Sequence, residues 1–220
     1  MKVYFFDIMK TVINMKQVLF ATNNKSKINR FKEQLLKYDI ELLSLKDLNI
    51  NLDIEENGNT AIENALIKAR AYYKEMHMPV IGMDDTLYLK NVPEDKQPGL
   101  YVRRVNGNTL TDEEMMKYYI SLVKKYGKNG KLNCKWIYGI AVINENGEES
   151  IYSWSKDNFY MVDTPSDIIN EGYPLNSISK YKVINKYFTE ITEDDKEKLK
   201  VNEDDVIEFI TKSVKKYKRK

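Results

Sequence analysis

The sequence predicts an α/β fold: a single domain with a central mixed β-sheet flanked by helices. Apolar runs typical of strands alternate with segments of helical periodicity in the first half. A long hairpin pattern follows in the second half. No internal repeat or long linker divides the 220 residues, of which 42% are hydrophobic and 31% charged. This composition is typical of a globular protein and excludes a disordered chain or a coiled coil.

The first half opens with a strand, a turn and a helix. Residues 17–22 form a short apolar run, and apolar side chains recur at helical spacing over residues 25–37. Thr60 and Glu63 have the spacing of a capping box, so a second helix is expected from there to about residue 76.

A buried strand and a third helix come next. Residues 79–83 predict the strand, which ends in two aspartates and continues or restarts over residues 86–89. Thr111 and Glu114 predict the start of the helix, which runs to about Tyr126.

The second half is expected to add an antiparallel pair. Residues 131–143 and 150–162 are rich in β-branched and aromatic residues and predict a long hairpin. Residues 165–179 are rich in loop-forming residues, and residues 179–187 suggest a short helix. A further helix is expected from Thr192, with a restart at residues 202–205 toward Lys212.

The composition excludes several classes of function. Cys134 is the only cysteine and His77 the only histidine, which excludes an intramolecular disulfide and a two-histidine zinc site. Hard oxygen ligands are the remaining metal chemistry. The net charge of +2 gives no overall bias toward nucleic acid or membrane. Residues 1–16 contain neither a membrane span nor a cleavage site, so we expect a cytoplasmic protein.

The expected domain covers residues 15–212. Met15 directly precedes the first strand, so residues 1–14 are treated as an extension whose place in the native domain stays open. Residues 213–220 form a basic tail. Such a tail can bind phosphates electrostatically, which keeps a nucleic-acid module as one alternative function. More often such a tail is simply solvated, so nucleic acid is not the expected partner.

A polar turn after the first strand is a candidate phosphate site. Thr22, Asn23, Asn24 and Lys27 place hydroxyl, amide and ammonium donors where a helix begins. Backbone N–H groups and the helix dipole favour an anion there. The alternative is that Asn24 is an ordinary helix cap and the lysines are solvated. The glycines of a Walker P-loop are missing.

Acidic residues form the second candidate site. Asp84 and Asp85 end a buried strand, the usual position for functional groups in an α/β sheet, and Glu56 lies in a turn before the second helix. Converging carboxylates at this position could hold Mg²⁺. Lys68 follows on the second helix. The alternatives are solvated acidic residues and an ordinary surface lysine paired to a neighbour.

Taken in order, these segments resemble the inosine triphosphatase family. Four stretches are similar to its motifs ATxNxxK, ExGxT…ENAxxKA, DDS or EDT, and PGxYxxR: Ala21–Lys27, Glu56–Arg70, Asp84-Asp85-Thr86, and Pro98–Arg104. The resemblance covers residues 16 to about 104 closely.

The second half departs from the family pattern. Gly172 and Tyr173 resemble part of its GYDP loop, but the aspartate expected after the tyrosine is absent. Residues 189–196 are similar to its AELxxEEK segment, which makes Lys196 the counterpart of a substrate-contacting lysine. The Ser-His-Arg that should follow is replaced by residues 200–202. Since those family residues contact the purine side, the resemblance implies an altered base preference.

The resemblance implies an elongated sheet with an active-site cleft between two lobes, and assembly as a homodimer by analogy. The implied activity is Mg²⁺-dependent hydrolysis of inosine, deoxyinosine or xanthosine triphosphate to the monophosphate and pyrophosphate, cleansing the nucleotide pool. The alternatives are a different nucleotide specificity or a nucleotide-binding protein that has lost turnover.

The resemblance also implies roles for individual residues. Glu56 and Asp85 would bind Mg²⁺, and Asp85 would orient or deprotonate the attacking water. Counting without a gap from Lys68 favours Asp84 for the second role, whereas the aspartate-aspartate-hydroxyl pattern favours Asp85. The residues expected to bind substrate are Thr22, Asn23, Asn24, Lys27, Lys68, Thr86, Tyr173 and Lys196.

Overall fold

The computed structural model describes residues 15–199 and 203–216. The predicted extension over residues 1–14, the segment 200–202 and the last four residues of the basic tail lie outside the described residues. The strands are β1 (Lys16–Phe20), β2 (Ile40–Ser44), β3 (Val80–Leu89), β4 (Arg104–Val105), β5 (Asn108–Thr109), β6 (Lys131–Ile143), β7 (Glu149–Val162) and β8 (Ser179–Tyr181). The helices are α1 (Lys25–Leu36), α2 (Ala61–Met76), α3 (Asp112–Tyr126), α4 (Glu193–Leu199) and α5 (Asp204–Val214).

Six strands form one mixed sheet, in the order β2-β1-β3-β6-β7-β8. Strand β1 is parallel to both β2 and β3, whereas β8 is antiparallel to β7. The predicted α/β class with a mixed sheet and flanking helices is therefore confirmed. None of the described helices is both long enough and apolar enough to span a bilayer.

The described residues divide into two compact units, each with its own apolar core. The first contains residues 15–84, 139–152 and 203–216, and the second contains residues 85–138 and 153–199. In the first unit, α2 packs on the sheet through Ala65, Ala69 and Tyr72. In the second, Leu87 and Leu89 of β3 pack with α3 and with buried residues of β6 and β7.

Two glycines let α2 lie directly against the sheet of the first unit. A Cβ atom on Gly82 of β3 would lie 2.0 Å from the carbonyl oxygen of Ala65. A Cβ atom on Gly139 of β6 would lie 2.4 Å from the backbone nitrogen of Ile62. Any larger side chain would push the helix away, so these glycines set the distance of α2 from β3 and β6.

The sequence predictions hold for most elements, but they miss the two-residue strands β4 and β5 and fail at two longer segments. The expected helix over residues 179–187 is wrong: residues 179–181 pair with β7 instead, and a tight turn follows in which the Tyr181 nitrogen donates to the Lys186 carbonyl. Pairing with an existing strand outweighs the weak helical pattern. Strand β2 was not predicted. The strand over residues 79–83 and its continuation are a single strand, β3.

The last described helix extends slightly further than predicted. Helix α5 continues to Val214, and Ser213 and Val214 are both buried. The described residues after it are Lys215 and Lys216, and the Lys216 carbonyl accepts a hydrogen bond from the side chain of buried Asn144.

Candidate functional site

The candidate site lies at a topological switch point of the sheet. The chain leaves β1 toward β2 on one side and returns as β3 on the other, so β1 stands between them. Phe20, the last residue of β1, lies opposite Ile81 of β3. The turn after β1 therefore lies beside the part of β3 that continues past Ile81. Asp84 and Asp85 lie within β3, which runs to Leu89, so the prediction that they end the strand is wrong. Ligands of open α/β sheets bind at such a switch point, at the edge where β1 ends.

The turn between β1 and α1 is ordered by two side chains. The Thr22 hydroxyl accepts a hydrogen bond from the Asn24 nitrogen at 3.1 Å, and the Asn24 Oδ1 atom accepts one from the Lys27 nitrogen at 3.3 Å. Asn24 is thus a helix cap, as one of the two sequence interpretations had it. Asn23 is exposed and Lys27 is half-buried. The N-terminus of α1 opens at this edge, which favours an anion.

A lysine held by two carboxylates lies beside this edge. The Lys68 Nζ atom on α2 is 2.9 Å from Oε2 of Glu56 and 3.5 Å from Oδ1 of Asp84. The Lys68 side chain is only 12% exposed. It is therefore not an ordinary surface lysine: its charge is offset by two carboxylates that come from a loop and from β3.

Asn64 holds this cluster in place. Its Nδ2 atom donates to Oδ2 of Asp84 at 2.9 Å, and its Oδ1 atom accepts from the Gly58 nitrogen at 2.8 Å. Asn64 is buried, with 3% exposure. A Cβ atom on Gly58 would lie 2.7 Å from that Oδ1 atom, so glycine is needed for this contact. No role for Asn64 was expected from the sequence, although it lies four residues before Lys68 and therefore on the same helix face.

The start of α2 fixes the loop that carries Glu56. The Thr60 hydroxyl accepts from the Glu63 nitrogen at 3.2 Å, which confirms the predicted cap. The Glu63 carboxylate accepts from the Asn59 nitrogen at 2.6 Å, one residue before the cap itself. Glu63 is therefore engaged with the loop backbone, at the Asn59 nitrogen rather than at the Thr60 nitrogen that the predicted capping box would use.

Asp84 and Asp85 point to opposite faces of β3. Successive side chains alternate along a strand, so Asp84 shares the α2 face with Gly82, and Asp85 shares the other face with Leu87. The contacts with Lys68 and Asn64 belong to Asp84. Asp85 is half-buried, and Thr86 is buried with 5% exposure.

Tyr173 and Lys196 belong to the second unit, on separate segments. Tyr173 is half-buried and precedes a 3₁₀ turn at Pro174–Ile178. Lys196 lies in α4, is exposed, and its Nζ atom is 2.7 Å from Oε1 of Glu193.

A buried carboxylate fixes the start of α4. Asp195 accepts from the Lys186 Nζ atom at 2.7 Å and from the Thr192 nitrogen at 3.1 Å. These contacts, led by the bond from Lys186, lower the pKa of Asp195 to about 2. The carboxylate therefore stays ionised and keeps the segment that carries Lys196 in place.

The donor set at Lys68 fits a magnesium ion that binds together with phosphates. Within residues 15–199 and 203–216, no group of three or more His, Cys, Asp or Glu side chains gathers as a metal cage. Mg²⁺ is commonly held by one or two carboxylates, with substrate phosphates and water completing its coordination. Glu56 and Asp84 supply hard oxygen donors of this kind.

The fold and these contacts define an α/β protein with a charged cluster at its switch point, the Lys68 cluster, which consists of Glu56, Lys68 and Asp84. The Ham1 family model matches residues 18–202, most of the chain, and the chain belongs to the Ham1 family. The family resemblance predicted from the motifs is thereby confirmed.

Curated relatives match along most of their length. A dITP/XTP pyrophosphatase from Wigglesworthia glossinidia brevipalpis is 32% identical over 185 residues, covering 84% of this chain and 90% of that protein. A dITP/XTP pyrophosphatase from Bacillus subtilis (strain 168) is 30% identical over 191 residues, covering 86% and 92%. The solved Staphylococcus aureus Ham1 protein aligns with a TM-score of 0.63 at 23% identity, over 82% of this chain and 89% of that one, which supports the fold.

Proposed function

We propose that this protein is a nucleoside triphosphate pyrophosphatase that hydrolyses inosine, deoxyinosine or xanthosine triphosphate to the monophosphate and pyrophosphate. The observation that carries the proposal is the Lys68 cluster at the switch point, in a chain whose relatives are named dITP/XTP pyrophosphatases. Removal of such nucleotides would cleanse the nucleotide pool.

In this proposal the first unit holds the triphosphate. The N-terminus of α1, with Thr22, Asn23 and Asn24, supplies backbone and side-chain donors to phosphate oxygens. Lys27 and Lys68 supply positive charge. Lys68 is already fixed between two carboxylates, so it meets the substrate in a set position rather than as a mobile side chain.

The carboxylates Glu56 and Asp85 are the proposed ligands of Mg²⁺, whereas the contacts of Asp84 with Lys68 and Asn64 suit it to holding the lysine. A bound Mg²⁺ would neutralise phosphate charge and lower the pKa of a coordinated water. Phosphoryl transfer leaves the protein mainly positioning and charge neutralisation, which this set of lysines and carboxylates can perform.

Asp85 is the proposed base that orients or deprotonates the attacking water. Both carboxylate oxygens of Asp84 already interact with donors, Oδ2 with Asn64 and Oδ1 with Lys68. This engagement suits Asp84 for holding Lys68 and favours Asp85 for proton transfer.

Thr86, Tyr173 and Lys196 are the proposed further substrate contacts, the last two at the far end of the nucleotide.

The test is pyrophosphate release with Mg²⁺ from inosine, xanthosine, guanosine, adenosine and pyrimidine triphosphates. Asp85→Asn and Lys68→Met should each remove most turnover with the preferred substrate. Asp53→Asn is the matched control, because it removes one exposed carboxylate from the same loop as Glu56. It should retain wild-type rates.

The outcomes separate the candidates. Full activity of Asp85→Asn, with loss in Asp84→Asn, would transfer the base role to Asp84. Nucleotide binding without pyrophosphate release from any triphosphate would reject the enzyme in favour of a binding protein.

We propose further that the protein works as a homodimer in the cytoplasm, which the family resemblance supports. Light scattering of the purified protein in solution measures the mass of the assembly directly. A mass of one chain across the working concentration range would reject the dimer.

A further inference from the structure

One carboxylate ties the loop that carries Tyr173 to the start of α3. The Gly172 nitrogen donates to Oδ2 of Asp112 at 2.9 Å. The Arg103 Nη1 atom donates to Oδ1 of the same residue at 2.6 Å. Asp112 thus joins three segments of the second unit, around residues 103, 112 and 172. Its hydrogen bonds, first from Arg103 and then from Gly172, hold the pKa of Asp112 below the ordinary value.

Asp112 is itself fixed by the helix it begins. Thr111 caps α3, with its hydroxyl accepting from the Glu114 nitrogen and the Glu114 carboxylate accepting from the Thr111 nitrogen. This capping box sets the backbone immediately before Asp112. As the first residue of α3, Asp112 therefore presents its carboxylate from a rigid position.

Arg103 is fixed from its own side. Its carbonyl accepts from the Leu110 nitrogen at 2.8 Å, and its Nη1 atom also reaches the Leu110 carbonyl at 3.3 Å. The preceding residue, Val102, accepts a hydrogen bond at 2.9 Å from the hydroxyl of Tyr119, which is fully buried on α3. The guanidinium that meets Asp112 is consequently held in one orientation.

The loop has a second anchor on the other side of Tyr173. The 3₁₀ turn Pro174–Ile178 buries Leu175 and Ile178 in the core of the second unit. Gly172 has a positive φ of 80°, a conformation that glycine adopts without strain. Tyr173 lies between this core anchor and the Asp112 contact, so the two together determine its position.

The sequence lacks the aspartate that the family resemblance places directly after Tyr173, and Asp112 brings a carboxylate to the same loop from α3. We propose that Asp112, held by Arg103, positions the loop at Tyr173 and thereby sets which base the enzyme prefers. This inference rests on the proposed function. Asp112 acts through the loop, as a positioning residue, and takes no part in the chemistry at the phosphates.

The decisive variant is Asp112→Asn, which preserves the size of the side chain. A neutral amide weakens the bond to Arg103, and if its NH₂ group faces Gly172 it cannot accept from that nitrogen. We expect KM for the preferred triphosphate to rise about threefold, with kcat within about twofold, because the Asp112 side chain is 32% exposed and water replaces part of the lost hydrogen bond. The ratio of kcat/KM between inosine and guanosine triphosphates should change as well.

Glu113→Gln is the matched control. Glu113 is the next residue on the same helical turn, is exposed, and pairs with Lys117 one turn away. This variant removes the same charge without touching the loop, so KM and base preference should stay at wild-type values. Asp112→Glu keeps the carboxylate and should recover part of the lost affinity.

A second measurement does not depend on turnover. Amide hydrogen exchange at Gly172 should accelerate in Asp112→Ala, which removes the acceptor, and stay unchanged in Glu113→Gln, which leaves the acceptor in place. If the wild-type protein released no pyrophosphate, the proposed function would fail, and exchange at Gly172 with calorimetric binding of inosine triphosphate would still test the positioning role. Unchanged exchange, or an Asp112→Asn enzyme with the affinity and base preference of the control, would overturn the inference.

Discussion

Replacing Asn64 by alanine should destabilise the protein and disable the Lys68 cluster together. The change removes the acceptor of the Gly58 nitrogen and the donor to the Asp84 carboxylate, two partly buried hydrogen bonds made by the buried Asn64 side chain. An unsatisfied buried N–H costs about 1–3 kcal/mol, and a hydrogen bond to a charged group contributes about 1.5–3 kcal/mol. Asp84 is 16% exposed, so water can replace part of the second contribution.

The expected loss in unfolding free energy is therefore about 3 kcal/mol. For a chain of this size that corresponds to a fall in Tm of about 6–12 °C. Thermal melts by circular dichroism and urea titrations measure it. Asn59→Ala is the matched control: it changes an exposed asparagine in the same loop, whose backbone contact to Glu63 does not need the side chain. Its Tm should stay within about 1 °C of wild type.

A companion variant, Asn64→Asp, tests the effect of a second negative charge beside Asp84. Asn64→Asp retains the size of the side chain and an acceptor for the Gly58 nitrogen, but places a second carboxylate against Asp84. The variant should be much less stable at pH 7 than at pH 4–5, where one of two facing carboxyls can take up a proton and donate to the other. A Tm for Asn64→Ala equal to that of Asn59→Ala, or an Asn64→Asp protein with the wild-type pH dependence, would refute the reasoning.

Three other regions give predictions of their own. Gly82→Ala places a Cβ atom 2.0 Å from a carbonyl oxygen of α2 and should lower the free energy of unfolding by about 3 kcal/mol or more through overpacking. Gly99→Ala meets no atom within 4 Å and should lower it by only about 1–2 kcal/mol, because its φ is positive. Urea unfolding of the two variants measures this difference in stability. Burial raises the pKa of the Cys134 thiol to about 12. A thiol reagent at pH 8 should therefore label Cys134 only after denaturation. Rapid labelling of the native protein would show that the thiol is not buried. The bonds from Lys186 and the helix start lower the pKa of Asp195 from 3.8 to about 2, so the stabilisation is present above pH 4 and is lost as the pH falls through 2. The stability gap between wild type and Asp195→Asn, measured by urea unfolding, should therefore narrow between pH 4 and pH 2, and a constant gap would argue against the ion pair.

Local patterns explain what could be predicted from sequence. The helix caps at Thr60 and Thr111 lie within a few residues of their partners, so spacing alone identifies them. The long hairpin is likewise local, with strands joined by a short polar turn. Strand β2 escaped prediction because its five residues have weak alternation, and they form a strand by pairing with β1 along its whole length.

The site shows the same division between local and distant information. Local patterns identified Glu56, Lys68 and Asp84 individually. Lys68 lies 12 residues after Glu56 and 16 before Asp84, and these spacings do not predict that the lysine contacts both carboxylates. That meeting depends on how closely α2 approaches β3, which Gly82 permits. Asn64 escaped notice because an asparagine on an apolar helix face has no signature of its own until its two partners are known.

In the second unit, a carboxylate that is missing from one motif is supplied by a residue of another element. Taken alone, the absence of an aspartate after Tyr173 predicts an altered base preference. In the folded chain, Asp112 reaches the same loop through the Gly172 nitrogen, and Arg103 keeps that carboxylate ionised and oriented. A motif records residues that are adjacent in sequence, whereas the loop needs only a carboxylate at the right place in space. The base preference should therefore depend on Asp112 and its partners, so variants of these residues should change KM and base selectivity. The phosphate chemistry should depend on the Lys68 cluster, so variants of that cluster should change turnover.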